Sequence, residues 1–345
     1  MDIVTVNPAT GRHLRRFREH TSREAKAAAA KAHTAFLSWR QTSFTHRARL
    51  LRALARELRH ERPKLAGLAT MEMGKPITQA LAEVEKCALG CDFYAANGPR
   101  FLADERPAGA PRHRYVTYRP YGVFLAVMPW NFPFWQIYRV AVPALLAGNT
   151  MLLKHAANVT GCALAIERTF LQAGFPRDVF QTLVIGGPEV GRLIADSHVA
   201  AITFTGSTAV GKKIASMAGA AMKKCVFELG GSDPYVVLAD ADLPHAAEVC
   251  AAARLYNTGQ SCVAAKRFIV VEKVRQKFEQ LLLARLTARR SGDPRSPETE
   301  LAPLARGDLR AELHAQVVSS VRRGAKLSLG GKSRPVLGFI IPRPF

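Results

Sequence analysis

The chain is expected to be an α/β protein: a doubly wound parallel sheet followed by a second, incomplete α/β domain. Three observations predict this. Short apolar runs at 122–128, 150–154, 179–185, 200–205 and 224–227 alternate with helical stretches near 134–147, 159–173, 188–196 and 208–219. Strands buried on both faces read as unbroken apolar runs, and their alternation with helices marks a parallel sheet covered on both sides. A second strand–helix pattern begins near 230, and 345 residues with 48% hydrophobic content suffice for two domains and a sizeable core.

The elements follow in chain order. Residues 1–20 read as a short strand and a turn at Asn7-Pro8 and Thr10-Gly11. Thr21 and Glu24 have the spacing of a capping box, which starts a helix reaching about Trp39. Two further helices are expected over 46–62 and 76–98, separated by Gly74-Lys75-Pro76, and 106–121 alternates like an extended segment. The sheet then begins at Gly122. Beyond 230, a strand at 234–238 leads into a helix from Leu243 to Tyr256 and a cysteine-bearing loop. A strand at 267–271 and helices at 273–290 and 308–323 complete the pattern. The expected boundaries are 1–229 for N-terminal helices and a dinucleotide-binding domain, 230–330 for the second domain, and 331–345 for an irregular tail rich in Pro and Arg.

Composition narrows the function classes. No run approaches the roughly 18 apolar residues of a membrane span, and the N-terminus lacks a secretion signal. A cytoplasmic location is the simplest expectation, with no membrane partner. None of the six cysteines forms a CxxC pair; Cys87 and Cys91 share a helix face and read as buried small residues rather than metal ligands. The net charge of +22 raises nucleic acid as a partner. The basic residues are dispersed, however, and over 46–62 Leu50, Leu51, Leu54 and Leu58 form an apolar stripe with arginines opposite. A solvated basic surface and no nucleic-acid partner is the favoured reading.

Three short runs carry chemistry. Cys262 closes Asn257-Thr258-Gly259-Gln260-Ser261-Cys262, a polar turn in which a thiol would be accessible. Glu228 opens Glu228-Leu229-Gly230-Gly231-Ser232 after an apolar strand. Asn131 lies in Pro129-Trp130-Asn131-Phe132-Pro133, where prolines stiffen the loop around an amide donor. A thiolate adds to an aldehyde carbonyl, a fixed amide stabilises the oxyanion, and a carboxylate activates water to release the product. Each residue also has a plain reading: a core cysteine, an exposed strand-end glutamate, a turn asparagine. Their convergence is a tertiary expectation. Thr205-Gly206-Ser207-Thr208-Ala209-Val210-Gly211 joins a strand to a helix; it is not the Gly-x-Gly-x-x-Gly fingerprint, but it sets backbone N–H groups at a helix start, suited to phosphate.

Together these runs resemble the NAD(P)-dependent aldehyde dehydrogenase family over roughly 5–330. Within it, Lys-His-Ala-Ala-Asn-Val, Glu-Leu-Gly-Gly-Ser-Asp-Pro and the cysteine run look most like bacterial NAD(P)-dependent succinate-semialdehyde dehydrogenases. The resemblance implies a Rossmann-like cofactor domain, NAD or NADP as cofactor and a small-molecule aldehyde as substrate. It makes Cys262 the nucleophile, Glu228 the general base and Asn131 the oxyanion donor. It implies Trp130, Asn131, Lys154, Ala157, Gly206, Ser207, Gly211 and Leu229 as cofactor contacts, and Arg139 as the partner of a distal substrate carboxylate. NAD-preferring relatives often carry a glutamate where this chain has Ala157, so NADP is admissible. His155 is expected to be a local packing residue. A second arginine of some relatives is Tyr256 here, which leaves a different aldehyde open.

The resemblance also implies a homo-oligomer built with a C-terminal strand and tail, and a Glu-x-Phe-Gly-Pro segment that holds the nicotinamide ribose. Nothing after Gly331 matches these, so a C-terminally truncated, inactive fragment stands as an alternative, with oligomerisation in doubt.

Overall fold

A computed structural model describes residues 2–109, 111 and 113–331. Apart from Gly331, the tail expected at 331–345 lies outside the described residues. The chain forms two compact units: residues 2–4, 16–66 and 81–229 in the first, and residues 5–15, 67–80 and those from Gly230 onward in the second.

Strands β1 (Asp2–Val6) and β2 (His13–Arg18) pair in a small sheet. Helices α1 (Ser22–Trp39), α2 (Phe44–His60), α3 (Arg62–Met73) and α4 (Ile77–Phe101) follow. The Thr21–Glu24 capping box starts α1, as its spacing predicts. On α2 the leucine stripe is buried, but Arg47 departs from the expected solvent face: it is buried, and its guanidinium donates to the carbonyls of Leu146 and Thr42. Helix α3 is not anticipated by the sequence pattern. Its buried face holds Leu65, Ala66, Ala69 and Met73 but also the polar Thr70 and Glu72, while Leu68 and Met71 lie on the less buried side, so the sequence shows no clean apolar stripe to read. The segment 106–121, expected to be extended, holds only a Glu105–Val116 bridge among its described residues. Pro107, Pro111 and Pro120 remove ladder donors there, and the described side chains over 106–119 are exposed.

The first unit is organised by β3 (Val123–Met128), β4 (Thr150–His155), β5 (Phe180–Thr182), β6 (Val199–Thr205) and β7 (Lys224–Glu228). They pair in the order β5-β4-β3-β6-β7, every pairing parallel. Helices α5 (Trp135–Leu146), α6 (Thr160–Gln172), α7 (Gly187–Ala195) and α8 (Thr208–Ala220) make the crossovers. One face packs Leu125, Leu152, Ile202 and Phe204 against Ala25 and Ala29 of α1, Leu193 and Ile194 of α7 and Ile214 of α8. Toward the β5 edge, aromatic packing takes over: Tyr138 of α5 stacks on Phe170 of α6 at 5.5 Å, and Phe170 stacks on Phe180 of β5 at 4.5 Å. From β3 the chain winds first toward β5, then crosses to β6 on the other side. The switch point lies between β3 and β6, the place where ligands bind in open parallel sheets.

In the second unit, β8 (Pro234–Val237) and β9 (Arg267–Val270) pair in parallel. Helices α9 (Leu243–Leu255) and α10 (Glu272–Thr287) bury one face of this pair through Val237, Ala247, Cys250, Phe278, Leu282 and Leu286. Val236 and Ile269 on the other face are exposed. Helix α11 (Gly307–Arg322) buries none of its side chains. No helix among the described residues is long and apolar enough to cross a membrane.

Candidate active site

In the first unit the site residues gather beyond the carboxyl ends of the parallel strands. Strand β3 ends at Met128 and feeds the Pro-Trp-Asn-Phe-Pro loop, with Trp130 and Asn131 half-buried. Two side chains distant in sequence hold this loop. The buried Glu83 accepts hydrogen bonds from the backbone N–H of Phe134 and of Trp135, both at 2.9 Å, at the open N-terminus of α5. The buried His155, at the end of β4, sets Nε2 2.9 Å from the Pro133 carbonyl, while its Nδ1 accepts from the Ala156 N–H at 3.0 Å. Burial pushes the His155 pKa down to about 4, against a partly offsetting rise from the Pro133 and Met128 carbonyls, so the ring is neutral at pH 7. The expected packing role of His155 is thus joined by specific hydrogen bonding.

Lys154 precedes His155 on β4 and is paired in register with Val127. Its pKa is lowered, chiefly by burial and against the opposing pull of Glu19. Ala157 opens a 3-10 turn and is exposed.

On the other side of the switch point, β6 ends at Thr205, and Ser207 caps α8 by accepting from the Val210 N–H at 3.4 Å. The Gly206 N–H donates to the Glu228 carbonyl at 3.1 Å, which ties this turn to the end of β7. A Cβ on Gly206 would fall 2.5 Å from the Phe204 ring, and one on Gly211 2.6 Å from Leu229. At Gly206 glycine is required by this close approach to the buried Phe204 ring, whereas at Gly211 the Leu229 side chain would have to shift. Gly206, Gly211 and Leu229 therefore form one packed junction. It leaves the start of α8 beside the end of β7, a cradle of N–H groups suited to a dinucleotide phosphate.

Glu228 is the last residue of β7, and its side chain is exposed. Arg139 of α5 reaches toward it. Its Nη2 donates to Thr205 Oγ1 at 3.1 Å, and its Nη1 lies 4.0 Å from Glu228 Oε1. Arg139 is therefore an immediate neighbour of the candidate base, an arrangement that its spacing from Pro133 does not disclose.

The second unit carries Cys262. The segment before it departs from ordinary backbone: Asn257 (φ 54°), Thr258 (φ 56°) and Gly259 (φ 78°) are consecutive left-handed residues. For a β-branched threonine this conformation is strained. Hydrogen bonds hold it in place. The Asn257 N–H donates to Gln79 Oε1 at 2.8 Å, Thr258 Oγ1 accepts from the Ala302 N–H at 3.2 Å, and Gln260 Oε1 accepts from the Ala305 N–H at 2.9 Å. Lys266 then clamps the cysteine itself, donating to the Cys262 carbonyl at 2.7 Å and the Gly231 carbonyl at 2.6 Å. Cys262 is half-buried, whereas Cys87 and Cys91 are fully buried in α4; burial raises the Cys91 pKa and leaves that thiol inert.

Sequence reasoning missed Glu83, Lys266, Gln79 and the bonding role of His155. The available signal was weak: a histidine ending an apolar buried strand must find polar partners.

Residues 1–342 match a family model described as the aldehyde dehydrogenase family. A protein of Synechocystis sp. described as a probable NADP(+) succinate-semialdehyde dehydrogenase is 48% identical over 333 residues, covering 96% of this chain and 73% of that protein. The NAD(P)+ succinate semialdehyde dehydrogenase Sad of Escherichia coli is 46% identical over 339 residues, covering 98% of this chain and 73% of its own length. Among solved structures, a succinic semialdehyde dehydrogenase from Streptococcus pyogenes in complex with NADP+ superposes with a TM-score of 0.96 at 35% identity, covering 99% of this chain and 75% of that one. This chain thus spans about three quarters of the length of each relative.

Proposed function

We propose, from the premise that this chain belongs to the aldehyde dehydrogenase family, that it serves the NAD(P)-dependent oxidation of succinate semialdehyde to succinate. The observation that carries this reading is Arg139 set between Thr205 at the end of β6 and Glu228 at the end of β7, beyond the carboxyl ends of the parallel strands and beside the Gly206 turn. The names of the relatives support the substrate.

In this reading the Cys262 thiolate attacks the aldehyde carbon, forming a carbon–sulfur bond and a tetrahedral oxyanion. The Asn131 amide donates to that oxygen as its charge develops. The bound nicotinamide cofactor supplies the two-electron acceptor for the hydride leaving that carbon. Glu228 then takes a proton from water as the water adds to the resulting thioester; the carbon–sulfur bond breaks, and the thiolate is restored with release of the acid. Arg139 orients the substrate by pairing with its distal carboxylate. Gly206, Ser207 and the N–H groups at the start of α8 would hold the cofactor's phosphates, Lys154 and Ala157 would face its adenosine ribose, and Trp130, Gly211 and Leu229 would complete its contacts. Ala157 brings no carboxylate to repel a 2′-phosphate, so NADP is accepted as well as NAD. Residues 1–229 serve the cofactor and 230–330 present the nucleophile. A reducing cytoplasm keeps that thiol competent.

The test is aldehyde-dependent NAD(P)H formation by the wild-type chain and by Cys262→Ala, with mass detection of an acyl adduct on Cys262. The variant should lose turnover and adduct together, by roughly 10⁴-fold or more in rate; a variant that still turns over rejects the assignment. A different aldehyde is the second reading, favoured by the engagement of Arg139 with Thr205. A panel of aldehydes with and without a distal carboxylate separates the two.

A further inference from the structure

We propose that His155 is the positioning residue for the oxyanion donor: it fixes the Asn131 loop by a single directed hydrogen bond to the Pro133 carbonyl. The inference rests on the role given to Asn131 above, and it extends that role to a side chain that touches neither substrate nor reacting atoms.

The geometry is specific. The Ala156 N–H points at Nδ1 at 3.0 Å, which makes Nδ1 an acceptor and puts the ring proton on Nε2. The Nε2–H then has the Pro133 carbonyl as its acceptor at 2.9 Å, two residues beyond Asn131. Nδ1 also lies 3.2 Å from the carbonyl of Met128, the register partner of His155 across β4 and β3, but in this tautomer it has no proton to donate there, so the Pro133 bond is the one that holds the loop. His155 is only 6% exposed, so water does not compete for these contacts. The depressed pKa keeps the ring neutral, so only one of its nitrogens carries a proton.

What the bond accomplishes follows from the loop's chemistry. Pro129 and Pro133 have no N–H, so the loop cannot be anchored through amide donors at either proline. Its carbonyls remain, and His155 takes one of them from outside. Glu83 holds the amides that follow, at Phe134 and Trp135. Asn131 thus lies between a strand end and two fixed points. An oxyanion donor works only when aimed beforehand at where charge develops, and small displacements are costly in rate.

The experiment is a double-mutant cycle on the full chain, with the single-turnover rate of NADPH formation as readout. Asn131→Ala should slow this step by roughly 100-fold. His155→Leu, which keeps the bulk and removes the donor, should slow it by about tenfold or more with unchanged NADP+ affinity. In the Asn131→Ala background the same His155→Leu change should have no further effect. His155→Gln, whose amide can reach the same carbonyl, should recover most of the loss. A His155→Leu penalty that persists in full without Asn131 overturns the proposal, as does failure of Gln to rescue. Hydrogen exchange at the amides of Trp130, Asn131, Phe132, Phe134 and Trp135 provides a readout independent of turnover. Exchange should rise in His155→Leu and return to the wild-type level in His155→Gln; unchanged exchange in His155→Leu also overturns the proposal. If the wild-type chain forms no NADPH from any aldehyde, the enzymatic reading fails, and the exchange comparison still decides whether His155 fixes the loop.

Discussion

Between Met128 and Trp135 the backbone keeps ordinary negative φ, and the loop around Asn131 is held from outside by His155 and Glu83. Between Asn257 and Cys262 the backbone itself is distorted, with three left-handed residues in a row pinned by Gln79, Ala302 and Ala305. The loop of Asn131, the proposed oxyanion donor, is thus fixed by side-chain clamps, and that of Cys262, the proposed nucleophile, by backbone strain that hydrogen bonds keep from relaxing. A clamped loop can be loosened one bond at a time, whereas a strained loop changes stability and shape together.

The widest break in this comparison comes from Glu228, which belongs to neither loop. Glu228→Gln keeps the shape and removes the proposed base. It should leave a first burst of NAD(P)H intact while steady turnover falls by about 10³-fold, with the acyl adduct accumulating on Cys262. Rapid-mixing fluorescence with intact-protein mass measurement reads both. Loss of the burst along with turnover would move Glu228 into the same step as the two loops.

Next in size is a contrast between the two sheets that carry these loops. Leu125 is fully buried in β3, with α1 and α7 against its face, so Leu125→Ala should cost about 2–5 kcal/mol by urea unfolding. Ile269 in β9 is 50% exposed, and Ile269→Ser should change stability by less than about 0.5 kcal/mol. Equal penalties would mean that the exposed face of the β8–β9 pair is covered in solution.

The clamp of the Asn131 loop has its own pH signature. His155 has a folded pKa of about 4, below the roughly 6.5 of an exposed imidazole. As pH falls, the unfolded chain takes up this proton first. The stabilisation is therefore whole above about pH 6.5 and is lost progressively on the way down to about 4, by on the order of 3 kcal/mol. His155→Leu removes this component. Denaturation midpoints of the two proteins measured from pH 7 to 4 should converge, with the wild type losing more; parallel curves would show that the ring does not resist protonation.

The same two loops explain how far the sequence was legible. Unbroken apolar strands alternating with helices announce the parallel sheet, because burial on both faces imposes that pattern directly. The segments holding Asn131, Glu228 and Cys262 stand out because proline, glycine and polar residues crowd where a strand or helix ends. Helix α3 stayed hidden, since Thr70 and Glu72 sit on its buried face and Leu68 and Met71 off it, which blurs the apolar periodicity. Glu83 and His155 stayed hidden for a different reason: Glu83 meets Phe134 across 51 positions and His155 meets Pro133 across 22, and no local pattern encodes such pairings. Arg139 shows the limit most sharply, because its proximity to Glu228 depends on β3 and β7 both flanking β6.

The smallest effect tests the strained loop. Thr258 at φ 56° stores about 1 kcal/mol of backbone strain, and its hydroxyl accepts from the Ala302 N–H. Thr258→Gly relieves the strain, but it removes an acceptor worth about 1 kcal/mol and loosens the unfolded chain by a similar amount. The net change should be a loss of no more than about 1 kcal/mol. Thr258→Asn keeps a side-chain oxygen and tolerates the left-handed region, so it should gain a few tenths of a kcal/mol. Urea midpoints rank the three proteins, and mass-mapped alkylation of Cys262 reports the freedom of the loop. If the strain is real, the order is Asn, Thr, Gly in stability, with alkylation fastest in Gly. A loss above about 2 kcal/mol for both variants would mean that the threonine is held by its methyl contacts, and that the nucleophile's loop is clamped from outside just as the Asn131 loop is.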